Sequence, residues 1–159
     1  MSETCANPSG GILGPRDLTL FVSIGSELIK EAVQQLCYYY KVNANETKVN
    51  LYGESLDKTY YRPVEIYARI EYGDITSTYE GFGQDATQIV TFTFLKKELV
   101  DSGVLLEVGD YLRFDDGYYE ISNVSENQLV GGQFANSLSI VASTFLTRKS
   151  SLNLTERVK

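Results

Sequence analysis

A chain of 159 residues, 43% of them hydrophobic and with a formal net charge of −7, has material for one domain with a real core. Its acidity disfavours general DNA or RNA binding, which needs Lys and Arg against phosphates, although like charge suits the wall of a passage through which DNA moves. With no histidine in the chain, the usual general base, the commonest metal ligand and every Ser-His or Cys-His dyad are missing.

Met1 to Asp17, rich in Gly, Pro, Ser and Asn, reads as a flexible arm carrying one apolar pair, Ile12-Leu13. A single domain follows over 18–148, and 149–159 is a polar C-terminal tail. In SELIKEAVQQL, residues Leu28, Ile29, Ala32, Val33 and Leu36 make one apolar stripe. That predicts a short helix over Ser26–Leu36, with Ser26 as N-cap and Glu27 at the positive end of the dipole. CYYYKVN, Cys37 to Asn43, is the first strand. Ala44 to Pro63 is a long connection, and loops beyond about 12–15 residues usually have a task. VEIYARIEY alternates, with Val64, Ile66, Ala68 and Ile70 on one face, as in a half-buried antiparallel strand. GDITSTYEGFGQDA reads as a second, Gly-rich connection. TQIVTFTFL sets Val90, Phe92 and Phe94 against Ile89, Thr91 and Thr93. KKELVDSG allows one helical turn. LLEVGDYLRF and YYEISNV make a hairpin about a tight Asp-Gly turn at Asp115-Asp116-Gly117. The last strand falls near Ser137–Thr147. The fold class is mainly β: an antiparallel barrel or sandwich of about six strands, with one short N-terminal helix and long loops and arms.

Chemistry finds little footing. Cys5 and Cys37 have no metal-ligand spacing and form no disulfide framework, so a reducing compartment is the default. The N-terminus has neither the basic nor the apolar region of a secretory signal. No run approaches the roughly 18 apolar residues of a membrane helix. Asp115, Asp116 and Glu120 could serve a glycosidase or a calcium site. Paired Asp before Gly is equally what a hairpin turn wants. The twelve tyrosines cluster at 38–40, 60–61 and 118–119, which suits strand packing, a protein interface, or stacking of sugars or bases. Seven acidic residues lie between Asp101 and Glu126, with Arg113 the one base among them, while Arg148, Lys149, Arg157 and Lys159 crowd the C-terminus. That contrast is either a solvated face with a basic tail, or a self-complementary surface on which the tail of one copy docks on the next.

The order of these pieces resembles a known family. A helix leads into CYYYKVN, and a long loop ends in YYRPVEIYARIEY. EGFGQD and TFTFLKKEL follow, then EVGDYLRFDDGYYEISNV and a closing LSIVASTF. This is similar to the neck, or head-completion (head-closure), proteins of contractile-tailed bacteriophages of the myovirus type. The resemblance spans roughly Leu28 to Leu146 and rests on order more than on any one motif. It implies a non-enzymatic β-barrel subunit with no cofactor, made in the host cytoplasm and built into the virion at the head–tail junction. There it would form a ring of six or twelve copies, with a portal or adaptor ring above and a tail terminator or tail tube below. Phage DNA would pass through the lumen without sequence-specific binding. The implied contact elements are the arm, the loops Ala44–Arg62 and Gly73–Asp85, and the tail from Thr147. Ile12, Leu13, Tyr60, Tyr61, Arg62, Tyr79, Phe82, Arg148 and Lys149 are the interface candidates, and Asp115, Asp116 and Glu120 the acidic residues facing the lumen. Either a head-closure or a tail-terminator tier fits. A carbohydrate-binding β-sandwich is the alternative of a different class.

Overall fold

The computed structural model describes residues 15–43, 47–49, 55–80, 83–127 and 137–147. Within them a helix α1 (Pro15–Glu27) continues into a π-helical segment, Leu28–Val33. It is followed by β1 (Leu36–Tyr40), β2 (Lys48–Val49), β3 (Ser55–Asp57), β4 (Val64–Tyr67), β5 (Arg69–Glu80), β6 (Gly83–Leu95), a short helix α2 (Lys96–Asp101), β7 (Tyr111–Phe114), β8 (Gly117–Asn127) and β9 (Ser139–Thr147). Seven strands form one antiparallel sheet in the order β4-β1-β7-β8-β9-β6-β5, and β2 pairs with β3 alone.

That order makes the sheet curl. β4 and β5 are its two ends, yet only Ala68 separates them along the chain. Covalent continuity therefore holds the two edges together, and the sheet wraps round in a barrel-like form. Gln35 manages the join. Its carbonyl accepts from Ala68 N–H at 3.0 Å and its Oε1 accepts from Ile70 N–H at 2.9 Å, so the backbone stays bonded where the strand changes partners.

Alternation fills the interior. Cys37, Tyr39, Ile66, Ile70, Val90, Phe92, Phe94, Leu112, Tyr119, Ile121 and Ala142 are buried, and Leu99 of α2 and Leu106 join the same cluster. Phe92 and Phe94 stack at 6.3 Å, and Tyr119 meets Phe92 edge-on at 5.5 Å. Each such ring contributes on the order of 2–3 kcal/mol by leaving water. Both alternating faces expected of VEIYARIEY and TQIVTFTFL are found, with Ile66, Ala68, Ile70, Val90, Phe92 and Phe94 inside.

Four expectations need correction. The helix begins at Pro15, not Ser26, and has ended before Leu36, which opens β1. Proline suits a first helical position, and the helix start takes the last three residues from the expected arm. The downstream stripe is a π-helical turn closed by Gln34, at φ 52°, whose N–H donates to Ile29 O. Gly73–Asp85 is not a loop. β5 and β6 run through it, paired from Ile75↔Gln88 to Glu80↔Gly83. Gly73 lies in the region where the register shifts between Tyr72 and Ile75. A Cβ there would lie 2.8 Å from Ile89 O, so this glycine marks a bulge rather than a connection. The Ala44–Pro63 connection carries the β2–β3 pair and a bridge between Val42 and Tyr60. Finally, the hairpin turns on Asp115 and Asp116, and Gly117 is already in β8, paired with Phe114.

Candidate interaction surface

The hairpin sequence GDYLRFDDGYYEI positions the first cluster. Gly109 adopts φ 94°, a conformation that favours glycine. Its N–H donates to Ile121 O, and Ile121 N–H donates to Asp110 O, each at 2.9 Å, which extends the β7–β8 ladder. Asp110 is buried. Its carboxylate accepts from the Tyr39 hydroxyl and, at 2.9 Å, from Val42 N–H. The Tyr39 oxygen also lies 2.7 Å from Leu105 O. Burial, then Asp110, pushes the Tyr39 hydroxyl well above the usual tyrosine range.

On the outer face one register row carries Tyr40, Tyr111, Glu120, Phe145 and Ile89 across five strands. Tyr111 points outward yet is only 4% exposed, because the connection before β4 folds over it. The Tyr111 hydroxyl donates to Glu120 Oε2 at 2.8 Å, and Lys58 Nζ lies 3.8 Å from Glu120 Oε1 and 5.3 Å from the Tyr111 ring centre. Tyr60 packs edge-on against Tyr111 at 5.6 Å. Burial raises both hydroxyls, Tyr60 up to about 12 and Tyr111 beyond that, with Glu120 adding to each.

The candidates from the sequence separate on this frame. Tyr60 and Glu120 come together. Tyr61 and Arg62 are exposed beside them, with Tyr61 N–H held by Lys41 O. Asp115 and Asp116 stand exposed at the hairpin tip, three register pairs from Glu120, so the three carboxylates are not one cluster. Nor is Asp101–Glu126 a bare acidic face: Glu107 pairs with Lys41 and Glu126 with Lys96, while Asp110 is internal. The backbone of Tyr79 lies in β5, opposite Gln84. Ile12, Leu13, Phe82, Arg148 and Lys149 lie outside the described residues. Tyr60–Tyr111 is an edge contact and Tyr40–Tyr118 is tilted by 57°, so neither pair offers the coplanar platform that stacks a sugar.

No family model matches this sequence, and no curated protein matches it. The chain is similar to one in the solved structure described as the virion of a native gene transfer agent particle, with a TM-score of 0.46 and 14% identity, covering 70% of this chain and 90% of that one.

Two further surfaces stand out. Among the described residues, β6 beyond Ile89↔Phe145, its last pair with β9, is paired with β5 alone. The two strands form a ribbon of six pairs from Ile75↔Gln88 outward, reaching about 20 Å past the sheet at about 3.4 Å per residue. Along α1 and into the π-helical segment that continues it, Leu20, Phe21, Ile24 and Leu28 are each 45–56% exposed. Their i, i+1, i+4, i+8 spacing is the pattern read from Leu28 onward, and beginning it eight residues earlier finds this face. Among the described residues no helix is long and apolar enough to cross a membrane.

Proposed function

We propose that the chain is a virion structural subunit of the neck of a contractile-tailed bacteriophage. It forms a ring below the portal that closes the DNA-filled head and receives the tail. It is not an enzyme, and its partners are further copies of itself and the rings above and below. One observation carries the reading beyond the sequence resemblance. Among the described residues the β5–β6 ribbon extends past the sheet with its backbone paired only to itself, and such an arm gains contacts when a neighbour covers it. The ribbon occupies the segment assigned above to assembly contacts. Exposed Asp115 and Asp116 at the hairpin tip suit a passage along which DNA slides without sticking.

Gold-labelled antibody microscopy on purified particles tests this. Label at the head–tail junction is the expected result. Label on fibres or baseplate, or unlabelled particles, overturns it. Probing the chain in DNA-filled heads without tails and in free tails separates the tiers: presence on heads gives head closure, presence on tails gives the tail terminator.

A further inference from the structure

The apolar stripe that runs from α1 into the π-helical segment stands open among the described residues: Leu20, Phe21, Ile24 and Leu28 are 56, 45, 53 and 56% exposed. At about 100° per residue they fall in one stripe. A shallow depression at its lower end is lined by Ile24, Glu27, Leu28, Glu31 and Ala32. Lys30, the neighbouring base, points away to Glu98 at 3.5 Å. The groove is therefore apolar with an acidic border, and it suits an occupant with apolar side chains and bases. Of the segments outside the described residues, 148–159 alone carries Lys or Arg. Its sequence, RKSSLNLTERVK, sets Leu152, Leu154 and Val158 among Arg148, Lys149, Arg157 and Lys159.

The sheet brings that segment within reach of its own groove. Thr147 pairs with Tyr118, Tyr118 with Arg113 and Arg113 with Tyr38. Three strand spacings, about 14 Å, therefore separate the end of β9 from β1. From Tyr38 the chain runs back to Gln34, which closes the π-helical segment, over at most about 14 Å. Glu31 stands about 5 Å further on. The path along the surface is thus about 33 Å, an upper bound on the direct distance. Arg157 is ten residues past Thr147 and reaches about 34 Å in an extended chain. A segment tethered within reach meets its own groove at an effective concentration on the order of millimolar, whereas a second copy acts only at its bulk concentration.

We propose that the groove along this helix, bordered by Glu27 and Glu31, is covered by residues 148–159 of the same chain. Leu154 and Val158 enter the apolar depression, and Arg157 and Lys159 meet the acidic border. Coverage takes an exposed apolar helix face out of solvent in the isolated chain. It does not depend on the neck assignment, since it is read on the purified protein in solution.

The test places a photo-crosslinking phenylalanine analogue at Val158 in the full-length chain. Equal amounts of heavy-nitrogen-labelled and unlabelled protein are mixed, irradiated at micromolar and lower concentrations, and mapped by mass spectrometry. Cross-links from 158 to residues 24–32 that join peptides of one isotope only are expected, with a yield that does not change on dilution. Reversal of the border by Glu27→Lys and Glu31→Lys lowers that yield about tenfold, and adding Arg157→Glu with Lys159→Glu in the same chain restores it. Circular dichroism checks that each variant keeps the fold. Cross-links joining labelled to unlabelled chains, cross-links to another surface, no cross-links, or a yield indifferent to charge reversal would each overturn the proposal.

Discussion

The Tyr39 hydroxyl donates to the carboxylate of Asp110, 71 residues later in the chain. The same carboxylate holds Val42 N–H at 2.9 Å. Asp110 thus fixes both a core ring of β1 and the backbone leaving that strand, from a position almost without solvent contact. Replacing Asp110 with Ala strands two donors, and the expected cost is about 2–4 kcal/mol of stability. Tyr39→Phe, which leaves the amide bond intact, is expected to cost about 1–2 kcal/mol. Urea denaturation measures both, and equal losses from the two variants would mean that the Val42 bond adds nothing.

Four tyrosines and a cysteine set the alkaline limit. Burial pushes Tyr60 and Tyr119 up to about 12, Tyr39 and Tyr111 further, and Cys37 from 9.0 to about 12. Folded-state values raised above unfolded ones mean that the unfolded chain holds fewer protons at high pH, so stability falls as pH rises. These groups' contribution is fully present below pH 9 and is lost progressively from there through pH 12. Denaturant midpoints measured from pH 7 to 12 show the decline, and Tyr111→Phe is expected to make it shallower.

The hairpin glycine is there for space. A Cβ on Gly117 would lie 2.8–2.9 Å from the Tyr119 ring, which is itself wedged against Phe92. Gly117→Ala is therefore expected to destabilise by about 1–3 kcal/mol through overpacking. Asp115, at φ 53°, should accept Gly with a change of at most about 0.5 kcal/mol. Thermal melts of the two variants distinguish a packing glycine from a turn glycine.

Cys37 has no solvent exposure, and its Sγ donates to Ile66 O at 3.3 Å. With its thiol held up to about 12 and buried, a thiol reagent at pH 8 should not reach it in the folded protein. In a Cys5→Ser background, labelling is expected only in denaturant. Labelling of the native chain would show that the barrel opens at the β1–β4 pair.

At the outer face, Glu120→Ala frees Lys58 and leaves the Tyr111 hydroxyl without its carboxylate, at an expected cost of about 1–2 kcal/mol. Asp115→Asn with Asp116→Asn is expected to stay within about 0.5 kcal/mol, as for exposed positions generally. On the neck role proposed above, Asp115→Lys with Asp116→Lys in particles is expected to slow DNA ejection. Normal ejection kinetics would remove the hairpin tip from the DNA path.

Strand identity was legible in the sequence wherever side chains alternate by two, because that period is a local property. VEIYARIEY and TQIVTFTFL display their buried faces in plain letters, and the absence of histidine bounds the chemistry with no fold at all. What the sequence could not show are relations between distant residues. Gly73 reads as a loop residue until Ile89 O is placed against it. Glu120 reads as a free acid until Tyr111 and Lys58 arrive from elsewhere in the chain. The stripe read from Leu28 gains Leu20, Phe21 and Ile24 only once the helix is seen to begin at Pro15, and their exposure only once the sheet is in place. Ala68 is one small residue in an unbroken strand pattern, and only the tertiary structure makes it the point where that strand leaves β1 for β6. Closure, partnering and exposure depend on which segments meet in space, and no local period encodes that.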